Sequence, residues 1–178
     1  CLRRAARSRG GMSASSTSSS VGGPPPPPCN LALGGATTQS SEGWGGASGR
    51  AVDGNSGDGS WGSSSCTHTQ NGTPEWWQVD MGAPYAILNF NLYHRTDCCQ
   101  DRLTAANIIV SATADYTTGI ICSAVTSGGN VAQPEVGTCG GATGQFITVQ
   151  HSGDYITICE MEIYGAPAGS LFVGEPTN

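Results

Sequence analysis

Lysine is absent from this 178-residue chain, and Arg3, Arg4, Arg7 and Arg9 account for most of its seven basic side chains. From Cys29 onward only Arg50, Arg95 and Arg102 remain, against all 13 acids, and the formal net charge is −6. A surface of that sign repels phosphate backbones, which argues against nucleic acid as a partner, and it suits a protein that holds a hard cation. No apolar run approaches the roughly 20 residues that a helix needs to cross a bilayer, so no membrane span is expected. A helical apolar stripe is lacking throughout, which removes the helical bundles. The paired C-x2-C spacing of a zinc site is also missing. No intact signal peptide is visible, and a start at Cys1 rather than at methionine is expected of a processed form or a fragment.

What is present divides unevenly. Residues 1–28 are rich in Arg, Ser, Gly and Pro, with a Ser/Thr run at Ser13–Ser20 and an uninterrupted Pro24–Pro28. Such a leader reads either as an extended, O-glycosylated stalk or as a plain linker. Residues 29–165 hold every Trp, Tyr and His and can build a core, and 166–178 form a C-terminal tail. Within 29–165, short apolar or alternating runs are separated by Gly, Asn, Asp, Ser and Pro. This is the texture of an all-β domain, an antiparallel β-sandwich or jelly roll. Expected strands are Trp76–Met81, Ala86–His94, Ala106–Ala112, Ile120–Val125, Gln145–Gln150 and Tyr155–Tyr164. In the second, Leu88, Phe90, Leu92 and His94 alternate with Ile87, Asn89, Asn91 and Tyr93, giving one apolar and one half-polar face. Eight cysteines (Cys1, Cys29, Cys66, Cys98, Cys99, Cys122, Cys139 and Cys159) point to an oxidising, extracellular setting. Cys1 and Cys29 bracket the leader, and either pair with each other or leave Cys1 for another chain. Asn71-Gly72-Thr73 is an N-glycosylation sequon in a polar stretch.

Three stretches carry chemistry. These are Cys66-Thr67-His68-Thr69, Arg95-Thr96-Asp97-Cys98-Cys99-Gln100-Asp101-Arg102, and Cys159-Glu160-Met161-Glu162. A neutral sugar is bound through its hydroxyls and an apolar ring face, so its site needs rigid donors and acceptors beside a flat apolar platform. Histidine supplies one donor and one acceptor, and arginine a fork of donors. Asp97 between Arg95 and Arg102 is placed to hold both guanidinium groups, although the same trio also reads as a surface salt bridge at a strand end. A Cys98–Cys99 bridge would close a small strained ring, because a trans peptide holds neighbouring Cα atoms about 3.8 Å apart, below the usual disulfide range. That ring would offer a compact apolar face beside the arginines; alternatively each cysteine pairs with a distant partner. Six cysteines allow fifteen pairings on spacing alone. Asp53-Gly54-Asn55 is a turn rich in oxygen ligands that, with Ser65 and Glu160, suits calcium; it is equally an ordinary turn.

In order along the chain stand Asn30-Leu31-Ala32, Gln39-Ser40-Ser41, Ala51-Val52-Asp53-Gly54-Asn55, Cys66-Thr67-His68-Thr69, Trp76-Trp77-Gln78-Val79-Asp80, Arg95-Thr96-Asp97-Cys98-Cys99 and Cys159-Glu160-Met161-Glu162-Ile163-Tyr164-Gly165. This series resembles the F-type lectins, or fucolectin domains, over about Cys29 to Gly165. The resemblance implies a jelly roll related to the discoidin domains. It implies that His68, Arg95 and Arg102 hydrogen-bond α-L-fucose, that Asp97 orients the arginines, and that a Cys98–Cys99 ring packs on the sugar. It further implies Cys66–Cys159 and Cys122–Cys139 bridges. A structural Ca2+ would lie near Asp53, Asn55, Ser65 and Glu160, with Arg50 and Cys159 lending backbone carbonyls. Gln78 stands where the family often has a basic residue, His94 precedes the arginine, and the segment from Asn55 to Ser65 is longer than usual.

The resulting expectation is a secreted, calcium-stabilised module that binds fucosylated glycans and is not an enzyme. Glycoside hydrolysis needs two carboxylates facing one site, and the acids here are taken by turns, by the cation and by arginine. The alternative is a structural subunit of an extracellular filament or wall glycoprotein, a homo-oligomer in which the lectin-like fold mediates assembly.

Overall fold

The computed structural model describes residues 28–57, 59–126 and 133–170. Most of the leader, the tail beyond 170 and the pairing of Cys1 with Cys29 therefore lie outside the described residues. The described chain is built from six β-strands: β1 (Ala36–Gln39), β2 (Glu75–His94), β3 (Asn107–Ser111), β4 (Ile120–Ala124), β5 (Glu135–His151) and β6 (Ile158–Pro167). Three short 3-10 turns, at Ser48–Val52, Trp61–Ser63 and Tyr116–Thr118, complete the regular structure. No helix among the described residues is long and apolar enough to cross a membrane.

All strand pairs are antiparallel, in the order β1-β2-β5-β3-β4, with β6 on β2. The two long strands belong to both layers of the fold. The first part of β2 (Glu75–Asp80) pairs with Phe146–His151 of β5, and the second part (Tyr85–Leu92) with Glu135–Gly144, the register shifting between Asp80 and Tyr85. β1 lies on the first part of β2 and β6 on the second. Side chains from both parts share one core: Trp77, Val79, Ile147 and Val149 from one, Ile87, Phe90, Leu92, Met161 and Ile163 from the other. The sheet thus closes on itself as a sandwich, and each large core side chain contributes roughly 1.5–3 kcal/mol by leaving water.

Two expected strands, Trp76–Met81 and Ala86–His94, are one continuous strand. The apolar alternation also breaks inside it. A register shift between Ile87 and Asn89 buries Ile87 and turns Leu88 outward, while Phe90, Leu92 and His94 stay inside. An extra residue at a bulge moves every later side chain to the opposite face, so a strict period of two does not hold across it. The first part of β5 was not expected as a strand, because Gly137, Gly140, Gly141 and Gly144 leave it without an apolar pattern. At Gly137 an added Cβ would stand 2.2 Å from the Phe90 ring, so the glycine there makes room for a core aromatic. Gln78, at the position of a common basic residue, is buried and donates through Nε2 to Thr148 Oγ1 at 2.8 Å and Ala114 O at 3.1 Å. It serves the sheet, not a site.

Candidate functional site

The segment Cys66–Thr69 is stitched to the chain just before β6. Thr67 N–H and Thr69 N–H donate to Ile158 O and Ile156 O, and the two threonine hydroxyl oxygens accept from the Ile158 and Ile156 N–H groups. Alternation then sends His68 to the opposite side, away from the core. The Cys66–Cys159 disulfide closes one end of this arrangement. On the outer side lies a turn containing Gly43 and Gly46, with Gly43 N–H donating to His68 O at 2.7 Å and His68 N–H donating to Gly46 O at 2.9 Å. A Cβ on Gly46 would lie 2.4 Å from His68 N, so only glycine allows this approach.

His68 is 5% exposed. Its Nδ1 lies 2.5 Å from Thr69 O, and a carbonyl only accepts, so Nδ1 carries the proton. Its Nε2 lies 3.0 Å from Arg102 Nη1, and a guanidinium only donates, so Nε2 is the acceptor. Together the two contacts define a neutral imidazole in a single tautomer. Burial lowers its pKa below 6.5, aided by the charges of Arg102 and Arg95 and opposed by the Thr69 hydrogen bond.

Arg95 closes a bidentate fork on Asp97, Nε to Oδ1 at 2.8 Å and Nη2 to Oδ2 at 2.9 Å. Asp97 also accepts from the backbone N–H groups of Trp61 at 3.1 Å and Cys98 at 2.9 Å. These bonds, that to Arg95 above all, hold its carboxyl down at about 2. The expectation that Asp97 clamps both arginines is met for Arg95 alone. Arg102 instead meets His68 Nε2 and lies 4.8 Å from the centre of the Tyr155 ring.

His68, Arg95 and Arg102 converge on one pocket of about 260 Å³, whose other walls are Trp44, Trp61 and Tyr155. The three aromatic rings stand 4.6, 5.4 and 5.2 Å from the His68 ring, and Trp61 also faces the Arg95 guanidinium at 5.3 Å. These aromatics are the site residues that the sequence reading missed. A signal existed: Trp44 and Trp61 sit alone among Gly and Ser, with no apolar neighbours to form a core face. Cys98 and Cys99 are bonded to each other as expected, with Cα atoms 3.8 Å apart and Cys99 at φ 59°, a strained backbone for a non-glycine residue. Cys98 and Cys99 are not among the six residues that line the pocket, whose apolar walls are aromatic. Cys122–Cys139 is likewise formed.

A second cluster lies across the Cys66–Cys159 bridge. Glu160 is 1% exposed and accepts from Gly54 N–H at 3.3 and 3.2 Å through its two oxygens. Burial first, then the neighbouring charges of Asp53 and Glu162, push its carboxyl up to about 7. Asn55 Oδ1 and Ser65 Oγ lie near each other, 3.1 and 3.5 Å from where a Gly57 Cβ would be, and Arg50 Nη1 donates to Cys66 O at 3.1 Å. Among the described residues no group of three or more His, Cys, Asp or Glu is arranged to hold a metal. Asp53 and Glu160 are the carboxylates of this cluster, and Asn55 and Ser65 offer neutral oxygens, ligand types that hard cations take.

Residues 50–149 match the family described as NedA-like, galactose-binding domain. Fucolectin-5 of Anguilla japonica is 32% identical over 150 residues, covering 75% of each chain. Among solved structures, the F-lectin from the serum of Morone saxatilis (striped bass) is 30% identical with a TM-score of 0.71, covering 77% of this chain and 47% of that one. The chain thus spans about half the length of the bass lectin. A Streptococcus pneumoniae fucose binding module is 30% identical with a TM-score of 0.67, covering 76% of this chain and 97% of that module. The identity to Fucolectin-5 and the shared fold show that the chain belongs to the F-type lectin (fucolectin) family.

Proposed function

We propose that this domain binds terminal α-L-fucose on glycans, through His68, Arg95 and Arg102, and catalyses no reaction. The observation that carries the reading is the single tautomer of His68. A sugar hydroxyl has one proton to donate and two lone pairs to accept with. In the free site His68 Nε2 accepts from Arg102 Nη1; a sugar hydroxyl that takes over this bond would donate to Nε2 and accept from the Arg102 and Arg95 guanidinium groups that share the pocket. The aromatic walls suit the C–H face and methyl group of a 6-deoxy sugar. Asp97, bound to Arg95 in advance and held by the Cys98 N–H, removes part of the ordering cost. The relatives named as fucolectins and as a fucose binding module support the same assignment. A glycosidase would need carboxylates at the sugar, and none lines the described pocket. The test is isothermal titration with methyl α-L-fucoside against methyl β-D-galactoside. Saturable binding of the fucoside alone is expected, and no heat with either sugar would sink the reading.

Ca2+ is proposed at the second cluster, held by Asp53, Asn55, Ser65 and Glu160 with backbone carbonyls of Arg50 and Cys159. The buried Glu160 carboxyl, pushed towards its protonated form, supports a cation there, since bound charge would restore the carboxylate. When bound, the ion would tie the loop before Cys66 to β6. The disulfides and the family support a secreted, extracellular module.

A further inference from the structure

Beside the sugar pocket lies a second one, of about 390 Å³, lined by Gly43, Trp44, Gln70, Asn71 and Tyr155. The two share Trp44 and Tyr155, so what fills one meets the other. Trp44 is 69% exposed and held at φ 50°, a conformation unfavourable for a bulky residue, by a turn pinned to His68. The opposite wall is the turn 70–73. Gln70 N–H donates to Ser41 Oγ at 2.9 Å, its Nε2 donates to Glu42 O at 2.8 Å, and Gly72 N–H donates to Gln70 O at 3.2 Å. At the apex of this turn the exposed Asn71 heads the sequon Asn71-Gly72-Thr73, and Thr73 is exposed as well. An acceptor asparagine thus stands at the mouth of a pocket walled by Trp44 and Tyr155. Aromatic faces of this kind are the usual apolar platforms for pyranose rings.

We propose that Asn71 carries an N-linked glycan whose first residue lies in this second pocket against Trp44, so that the chain's own glycan forms an outer wall of the lectin site and restricts it to short, unbranched fucosyl ends. The restriction rests on the fucose reading above; the placement of the glycan does not. The modification transfers an oligosaccharide from a lipid diphosphate donor. The bond from sugar C1 to phosphate breaks, the bond from C1 to Asn71 Nδ2 forms, Nδ2 gives up one proton, and the lipid diphosphate leaves.

The experiment compares wild type, Thr73→Val and Asn71→Gln, each secreted from a eukaryotic cell line. Glycopeptide mass spectrometry should find Asn71 occupied in the wild type, and both variants bare. Oxidation of Trp44 by N-bromosuccinimide, followed by peptide mapping, should be several-fold slower in the occupied protein. Affinity for a branched fucosylated oligosaccharide should rise at least several-fold in both variants relative to that for methyl α-L-fucoside. Bare Asn71 in the wild type, or equal Trp44 oxidation in all three proteins, overturns the glycan's placement. Slower oxidation with an unchanged affinity ratio overturns the restriction. If no form binds methyl α-L-fucoside the fucose reading fails and the restriction with it, while occupancy and oxidation still decide where the glycan lies.

Discussion

His68, Arg95 and Arg102 differ in what holds them, and substitutions should separate their roles. Arg95 is fixed by two bonds to one carboxylate, a geometry that a lysine ammonium does not reproduce. Arg95→Lys is expected to weaken fucose binding roughly ten- to a hundred-fold by titration calorimetry, since a hydrogen bond to a charged group contributes about 1.5–3 kcal/mol. The pH dependence follows from His68. Its folded pKa lies below 6.5, so on acidification the unfolded or displaced ring takes a proton first. The part of the stability due to the neutral ring is complete above 6.5 and declines as pH falls from 6.5 through the lowered value. Protonation also destroys the Nε2 acceptor. Fucose affinity should therefore be level above pH 6.5 and drop in more acid buffer. An affinity that increases on acidification would contradict the assigned tautomer. Arg95, Asp97 and Arg102 stood out in the sequence as a rare basic cluster with an intervening acid, which also read as a surface salt bridge; the resemblance to the F-type lectins assigned them, with His68, to a sugar site. The partner of Arg102 was not, because spacing along a loop does not say which way each guanidinium turns.

At the scale of elements, the turn containing Gly43 and Gly46 decides how the site is assembled. It lies flat on the backbone of His68 and presents Trp44 to the pocket. In Gly46→Ala the new Cβ meets backbone at 2.4 Å, so the turn must move. The expected outcome is a loss of fucose affinity of about ten-fold or more, with a smaller fall in melting temperature than a core truncation such as Phe90→Ala, read by calorimetry and thermal scanning. The strands themselves show where periodicity succeeds and where it stops. β3, β4 and the later part of β5 were expected within a residue or two, because each is a short run of β-branched and apolar residues bounded by turn residues. The joining of two strands into β2 and the bulge at Ile87–Asn89 were not, since they depend on what β5 and β6 place opposite.

The Cys66–Cys159 bridge joins segments 93 residues apart, and both its neighbours, Ser65 and Glu160, belong to the proposed cation cluster. Its removal by Cys66→Ala with Cys159→Ala is expected to cost roughly 2–5 kcal/mol in urea unfolding, as for a bridge closing a long loop. The same change should blunt the response to calcium. In the wild type, saturating Ca2+ should raise the melting temperature by a few degrees and EDTA should reverse it, because a ligand bound only to the folded state stabilises it. Glu160→Gln should abolish that shift; an equal shift in the variant would place the ion elsewhere. On this scale the sequence by itself determined the class of fold and, through the order of its motifs, the resemblance to the F-type lectins that singled out His68, Arg95 and Arg102. The fold class rests on composition and local alternation, which belong to single positions and their near neighbours. Only the tertiary structure decided that Trp44, Trp61 and Tyr155, 111 positions apart at the extremes, wall one pocket, that Asp97 serves Arg95 and not Arg102, and that the sequon opens beside that pocket. The reason is physical: a pocket is made by surfaces brought together when the sheet folds over its core, and no local pattern in the chain records which loops will then face each other.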